Sequence, residues 1–158
     1  MNHDYECAVK KVTAQPTLSI TGRTRVANLS ATIGEFLPEV WQYITAQGAT
    51  PAGPPFTRYH EIGAEEVVLE AGLPVPPGIQ GKGRIKAGTL PGGEVVSTVH
   101  VGPYHSLPDA GAALTAWAKA HGRAAAGPNW ELYVTDPGVE PDPTRWKTEV
   151  VQPLTPRS

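Results

Sequence analysis

The first half of the chain places its hydrophobic residues in two different rhythms. Residues 8–27 alternate in the manner of a β-strand, so we expect the chain to open with one. A stripe with spacings of four, three and four then predicts an α-helix, and Gly48 stands where a helix C-cap glycine is expected. The stripe consists of Ile33, Leu37, Val40 and Ile44. Two shorter apolar segments, 56–61 and 66–70, predict strands after the helix.

Two proline positions qualify this pattern. Pro38 lies in the first turns of the predicted helix, so the helix either starts late or bends there. Residues 73–78 contain three prolines, and proline removes the N–H that a central strand needs. We therefore expect residues 73–78 to be a connection.

The second half shows the same order of patterns. A helix is expected to begin near Ser106, with Pro108 in its first turn and a stripe that includes Leu114. The Gly/Pro-rich residues 88–93 predict the turn of a hairpin. The strands expected in this half cover 84–87, 95–101, 130–135 and 146–151, with a loop at 136–143.

A weak internal repeat connects the two halves. When residues 46–59 are aligned without gaps to 120–133, six positions are identical, where composition alone would give about one or two. The identical pairs are Ala46/Ala120, Gly48/Gly122, Ala52/Ala126, Gly53/Gly127, Pro54/Pro128 and Tyr59/Tyr133. One structural unit is therefore used twice. Thr57 in the first copy is replaced by Glu131 in the second, so one copy supplies a charge that the other lacks.

The repeated pattern predicts an α+β fold. Each copy has the order strand, helix, strand, strand, which suits two pseudo-symmetric modules that form a mainly antiparallel sheet with the helices on one face. We expect an N-terminal tail at 1–7 and a single domain at 8–154. Within that domain the modules cover about 8–72 and about 82–154.

Composition excludes several classes of partner. The formal net charge is −2, and the 13 Lys and Arg residues are scattered, which argues against direct binding to nucleic acid or to a membrane surface. Cys7 is the single cysteine, no apolar run is long enough to span a membrane, and the first residues lack the basic start of a signal peptide. We expect a cytoplasmic protein.

Glu131 is the main candidate for chemistry. Alternation in a strand would place Trp130 and Leu132 toward the helix, and Glu131 and Tyr133 on the other face, toward the module junction together with Tyr59. A carboxylate among aromatic walls is costly to desolvate unless a cation compensates it, and aromatic faces attract cations. Backbone amides or Arg58 could instead satisfy Glu131.

The positions of the other aromatic residues divide them into candidate ligand contacts and packing residues. Tyr104 and Trp146 join Tyr59, Tyr133 and Thr57 as candidate ligand contacts. Core packing is the competing interpretation for the tyrosines and for Trp146. Trp41, Trp117 and Trp130 are assigned to packing.

No cofactor or metal site is expected. The histidines show no paired ligand spacing on one element, and a single cysteine adds nothing to them. Ser106 next to His105 lacks the geometry of a catalytic dyad, because adjacent strand residues face opposite ways. Residues 78–83 depart from a phosphate-binding loop at both ends of the motif.

Several segments together resemble the GyrI-like family, which includes the effector-binding domains of multidrug-sensing transcription regulators. They are Thr98–Tyr104, Trp117–Gly122, Trp130–Tyr133, Asp136–Pro137 and Thr148–Leu154. The resemblance covers about residues 8–154. It implies two strand-helix-strand-strand modules, a ligand pocket at their junction and a glutamate at its base, which Glu131 matches. The regulators' helix-turn-helix has no counterpart before residue 8, so we expect no direct DNA binding.

Three functions follow from these observations. The leading hypothesis is a stand-alone protein that binds hydrophobic, preferably cationic aromatic compounds, and so could sequester drugs. The alternative on the same scaffold is a cofactor-independent hydrolase of cyclopropane-containing alkylating compounds, with Glu131 as general base and Tyr133 or Tyr59 as proton donor. A third possibility is a partner-binding protein, because the family's founding member inhibits DNA gyrase. No residue pattern identifies a protein partner here.

Overall fold

The computed structural model describes residues 5–156. Within them lie eight strands and two α-helices: β1 Ala8–Val12, β2 Gln15–Arg25, α1 Leu29–Ala46, β3 Phe56–Ile62, β4 Glu66–Pro74, β5 Lys86–Leu90, β6 Gly93–Val101, α2 Leu107–Ala120, β7 Trp130–Tyr133 and β8 Lys147–Pro153. They form two compact units. The contiguous unit comprises residues 13–92, and the split unit comprises residues up to 12 together with those from 93 onward.

The contiguous unit is an antiparallel sheet covered by a helix. Its strands lie in the order β5, β2, β4, β3. Helix α1 packs on one face because Phe36, Val40 and Ile44 recur at helical spacing and are buried against the sheet. The sheet residues of this core are Leu18, Ile20, Val67, Leu69, Ala71 and Leu73.

The split unit repeats this arrangement with other residues. Its strands lie in the order β1, β6, β8, β7, and all three pairings are antiparallel. Helix α2 packs on one face through Ala110, Leu114 and Ala118, against Val96 and Val150 of the sheet. Pro108 lies in the first turn of α2, as the sequence predicts.

The strands of the two units pair in equivalent registers. Thr57 lies opposite Ala71, which lies opposite Ile20; Glu131 lies opposite Val150, which lies opposite Thr98. The helices end at equivalent residues, Ala46 and Ala120, and each is followed by a glycine with positive φ, Gly48 or Gly122. The α+β fold built from two strand-helix-strand-strand modules is confirmed.

Two expectations about strand pairing are wrong. Residues 8–27 form two strands instead of one, and β1 pairs with β6 of the split unit. The hairpin expected around 88–93 is absent, because β5 pairs with β2 and β6 pairs with β1 and β8. β1, the edge strand of the split unit, therefore comes just before β2 of the contiguous unit in the chain. β5, the edge strand of the contiguous unit, likewise comes just before β6 of the split unit.

The proline expectations also need correction. Helix α1 starts at Leu29 and continues through Pro38, so it does not start late. A bend at Pro38 stays a prediction. Burial of its apolar stripe on both sides of Pro38 outweighs the lost hydrogen bond. Strand β4 extends to Pro74, its last residue, where a missing N–H disturbs the ladder least. The Pro74 carbonyl still accepts a bond from the Ala52 N–H at 2.9 Å.

The expected tail, residues 1–7, lies partly outside the described residues. Of its described part, Tyr5 donates or accepts a hydrogen bond with His100 Nδ1 at 2.8 Å, and the Glu6 carbonyl accepts one from the Thr98 hydroxyl at 2.8 Å. Tyr5 and Cys7 also pack against the core under α2. Residues 5–7 therefore contribute to the split unit.

Candidate functional site

Glu131 lies on the helix-bearing face of the split unit's sheet. It is directly opposite Val150, which belongs to the core under α2, and directly opposite residues share a face. The expectation that Trp130 faces the helix and Glu131 faces away is therefore wrong. Trp130 and Glu131 are both buried, at 3% and 8% exposure. Because both faces of the sheet are buried here, the polarity of a side chain does not indicate which face it lies on.

The Glu131 carboxylate lies beside an aromatic cluster formed by Tyr104, Tyr133 and Trp146. The Tyr133 hydroxyl donates a hydrogen bond to Glu131 Oε2 at 3.0 Å. The ring centroids of Tyr133 and Tyr104 are 5.5 Å apart, and those of Tyr104 and Trp146 are 4.8 Å apart. The structure thus brings together four of the six site residues that the sequence suggested.

The loop after β6 and the loop before β8 position Tyr104 and Trp146 in this cluster. Tyr104 begins a short 3-10 helix, Tyr104–Ser106, which follows Gly102 at a positive φ of 135°. The Gly102 N–H donates to the Trp146 carbonyl at 2.8 Å, and Trp146 Nε1 donates to the Glu140 carbonyl at 2.8 Å. Trp146 was expected within the last strand but lies immediately before it. Its backbone is tied to the Tyr104 loop, which holds the two rings together.

Two carboxylates act on the aromatic cluster. Burial raises the pKa of the Tyr104 phenol, and the negative charges of Asp136 and then Glu131 raise the same pKa further. Both acids therefore favour positive charge and disfavour negative charge at this ring. From the sequence, Asp136 was named only within a segment that resembles the GyrI-like family, and not as a candidate site residue. The signal was an acid three residues after Tyr133, in a loop that returns to Trp146.

A row of buried polar groups crosses the sheet next to Glu131. Tyr133 lies opposite Thr148, and Thr148 lies opposite His100. Thr148 and His100 are 0% and 2% exposed. Neither residue was expected from the sequence as part of this site, although polar residues on the core side of β6 and β8 are a signal for it.

His100 is fully engaged. Its Nδ1 is 2.8 Å from the Tyr5 hydroxyl, and its Nε2 is 3.1 Å from the Pro103 carbonyl and 3.0 Å from the Ser106 hydroxyl. The Pro103 carbonyl can only accept, which assigns the proton to Nε2 and leaves Nδ1 to accept from Tyr5. A protonated Nε2 cannot remove a proton from Ser106. His100 therefore offers Ser106 no base. The premise taken from the sequence for His105 is wrong, because Tyr104–Ser106 form a 3-10 helix and not a strand.

Thr57 and Tyr59 belong to the contiguous unit. Thr57 is buried opposite Ala71, and Tyr59 lies opposite Leu69 and packs against the core under α1. Their participation in a ligand site with Glu131 stays a prediction. Arg58, the cation considered as a partner for Glu131, lies 3.9 Å from the Glu70 carboxylate.

Other features of the described residues lie apart from Glu131. Residues 5–156 contain no group of three or more His, Cys, Asp or Glu side chains placed to hold a metal ion. Neither α1 nor α2 is long and apolar enough to cross a membrane. A cleft of about 390 Å³ includes Arg23, Glu61 and Glu66 in its wall, and one of about 540 Å³ includes Tyr43 and Gln80. Neither cleft contains a predicted site residue.

Solved structures resemble this chain over nearly its whole length. EcmrR in its complex with DNA matches with a TM-score of 0.85 and 25% identity, over 97% of this chain and 58% of that one. The isolated C-terminal domain of EcmrR matches with a TM-score of 0.86 and 23% identity, over 97% of this chain and 99% of that one. A hydrolase from Listeria innocua matches with a TM-score of 0.65 and 16% identity, over 95% of this chain and 92% of that one.

The chain thus spans 58% of the length of EcmrR and almost all of its C-terminal domain. A comparison with proteins of curated function gives no match. The model of the GyrI-like small molecule binding domain matches residues 5–155. The resemblance inferred from the sequence is confirmed, and the chain belongs to the GyrI-like family of small-molecule-binding domains.

Proposed function

We propose that this protein binds hydrophobic, preferably cationic aromatic compounds at Glu131, with Tyr104, Tyr133 and Trp146 as the walls of the site. The observation that carries the proposal is a buried carboxylate, hydrogen-bonded to Tyr133 at 3.0 Å, beside the aromatic cluster. The ligand-binding role of each residue is part of the proposal.

The physical argument concerns charge in a partly dry site. Removing a carboxylate from water is costly, and a ligand cation restores part of the lost stabilisation. Each aromatic face adds about 0.5 to 2 kcal/mol of cation–π attraction without requiring one ligand shape. Asp136 contributes further negative potential at the Tyr104 ring. Such a site selects for charge and aromatic surface more than for shape, which suits a protein that sequesters drugs in the cytoplasm and so supports drug resistance.

The test compares two fluorescent ligands of nearly equal size. N-methylacridinium carries a fixed positive charge, whereas 9-methylacridine is neutral above the pKa of its ring nitrogen. We expect the wild-type protein to bind the cation more tightly. Glu131→Gln should remove most of this preference, about 1 to 3 kcal/mol, because a charge-assisted contact is lost while the side-chain shape is kept.

Glu149→Gln is the matched control. Glu149 lies in the same sheet opposite Leu132, on the face away from α2, and its carboxylate contacts Lys10 at 2.5 Å. This variant changes the net charge by the same amount and should leave the preference for the cation unchanged. Equal affinity of the wild-type protein for both ligands, or an equal effect of the two variants, would contradict the proposal.

The hydrogen bond between Tyr133 and Glu131 also supports a second candidate function. A carboxylate and a phenol in contact can act as general base and proton donor, and one structural neighbour is described as a hydrolase. In that case Glu131 would activate water for attack on a cyclopropane-containing alkylating compound. Incubation followed by product analysis separates the two functions. A binding protein returns its ligand unchanged, whereas a hydrolase yields a water adduct with more than one turnover per protein.

A further inference from the structure

Thr148 carries a buried hydroxyl that has no hydrogen-bond partner among residues 5–156. Its side chain is completely covered. Buried polar atoms in folded proteins nearly always have a partner, so an exception points to strain or to a role in binding. The position of the hydroxyl distinguishes these two explanations.

The hydroxyl lies in the row next to Glu131. Thr148 is directly opposite Tyr133, on the face that carries Glu131 and Val150, and neighbouring strands are about 4.8 Å apart. A molecule that takes the place of the Tyr133 side chain, between the Glu131 carboxylate and the rings of Tyr104 and Trp146, would therefore lie about one strand spacing from Thr148.

The neighbouring polar groups on this face are already engaged. Both ring nitrogens of His100 have partners, and the Thr98 hydroxyl donates to the Glu6 carbonyl at 2.8 Å. Of the three buried side chains Thr98, His100 and Thr148, the last alone keeps an unused donor and acceptor within the described part of the chain.

The equivalent positions of the contiguous unit are apolar. Tyr59 lies opposite Leu69, and Leu69 lies opposite Gly22. Thr148 thus replaces a leucine, and His100 replaces a glycine. The fold itself does not require a hydroxyl at this register position, because the contiguous unit forms the same sheet without one.

We propose that Thr148 is a hydrogen-bonding subsite of the ligand site, so that the preferred ligands are aromatic cations with a neutral polar substituent such as a hydroxyl, amide or carbonyl group. This inference rests on the function proposed above. The Glu131 carboxylate selects the charge, and the Thr148 hydroxyl selects the substituent.

The experiment uses N-methylacridinium and its hydroxymethyl derivatives at each ring carbon. Wild-type protein should bind at least one derivative as tightly as the parent ion, because the subsite compensates desolvation of the added hydroxyl. Thr148→Val keeps the shape of the side chain and removes its hydroxyl. We expect it to weaken binding of that derivative by about three- to tenfold more than binding of the parent ion, which is the range of one net hydrogen bond.

Thr17→Val is the matched control. Thr17 also has a buried hydroxyl without a partner, and it lies in the contiguous unit next to Leu18 and so on the face away from α1. It should change neither affinity. Both valine variants should unfold at temperatures no lower than wild type, because each removes an unsatisfied buried group.

Each outcome bears on one claim. If wild type binds none of the ions, the proposed function fails and this inference fails with it. If wild type binds the parent ion but every derivative at least threefold more weakly, there is no subsite, and this conclusion needs no variant. An equal loss of both ligands in Thr148→Val would show a packing role and overturn the inference, as would no loss at all.

Discussion

The two units place different chemistry on the same backbone. On the helix side of the sheet, the contiguous unit has Thr57, Leu69 and Gly22 where the split unit has Glu131, Thr148 and His100. The first set contains Leu69 of the apolar core, whereas all three residues of the second set are buried and polar. Two copies of one module can therefore differ in role, so that one contributes mainly stability and the other carries the residues of the proposed binding site.

A difference in helix side chains accompanies this division. The equivalent ends of α1 and α2 make Phe36 of the contiguous unit equivalent to Ala110 of the split unit. A Cβ at Gly22 would lie 2.9 Å from Phe36 Cζ, so the phenyl ring occupies the space above this glycine. Where the split unit has the larger His100 on the strand, it has only alanine on the helix. At this place in the core, the contiguous unit has the large side chain on its helix, and the split unit has it on its sheet.

The strongest test of this comparison is Phe36→Ala. It gives α1 the residue that α2 has, but leaves Gly22 beneath it, so a cavity forms where the split unit has an imidazole. We expect a loss of about 3 to 5 kcal/mol in the free energy of unfolding, measured by denaturant titration. Trp41→Ala on the same helix is the control, because Trp41 is half exposed and should cost far less. Similar losses at the two positions would contradict the inference that the Phe36 ring fills the space above Gly22.

A second test uses a position at which each unit has its own glutamate. Glu70 and Glu149 occupy equivalent positions in β4 and β8. The Glu70 carboxylate accepts the Ser19 hydroxyl at 2.6 Å and lies 2.9 Å from His60 Nε2, largely shielded from water. Glu70→Gln should therefore cost about 1 to 3 kcal/mol, since it breaks a buried network.

The Glu149 carboxylate makes its ion pair with an exposed lysine, Lys10. Glu149→Gln should cost about 1 kcal/mol or less, as is usual for surface pairs. Thermal or denaturant unfolding of the two variants, measured side by side, gives the comparison. A larger loss at Glu149 would show that the two units treat this position in the opposite way to the one described.

The smallest effect concerns the Tyr104 phenol. Its pKa is raised above the ordinary value of 10.0, so the phenol stays neutral to higher pH than an exposed tyrosine, and its contribution to stability falls as the pH rises above 10.0 through the raised pKa. Asp136→Asn should lower this pKa, and Glu131→Gln should lower it less. Tyrosinate absorbance, with Tyr104→Phe subtracted, measures the shift. Asp142→Asn, farther along the same loop, is the control, and an equal shift there would indicate a general charge effect.

The sequence predicted those parts of the fold that depend on local spacing. The stripe that includes Val40 marked α1, the glycine at 48 marked its end, and the repeat identified position 131 as the charged counterpart of Thr57. These signals operate within a few residues or compare identical offsets, so they do not require knowledge of which strands meet.

The parts that failed depend on distant partners. Nothing local states that β1 pairs with β6 or that β5 pairs with β2. The face of Glu131 was assigned wrongly because its neighbour Trp130 is buried as well. Thr148 and His100 were not predicted as site residues, because the role of each depends on its place in the row with Tyr133. These three residues lie on three different strands, and their pairing is not visible from neighbouring residues in the sequence.

The position of β1 also has a consequence for synthesis. Its partners in β6 lie between 81 residues away, for Val12 and Gly93, and 89 residues away, for Ala8 and Ser97. Ribosomes add about 5 to 20 residues per second, so this strand leaves the ribosome several seconds before its partner exists. The contiguous unit can close in that interval from a single stretch of chain. The split unit, which contains Glu131, can close only later, when β1 pairs with a strand that is synthesised 81 to 89 residues after it.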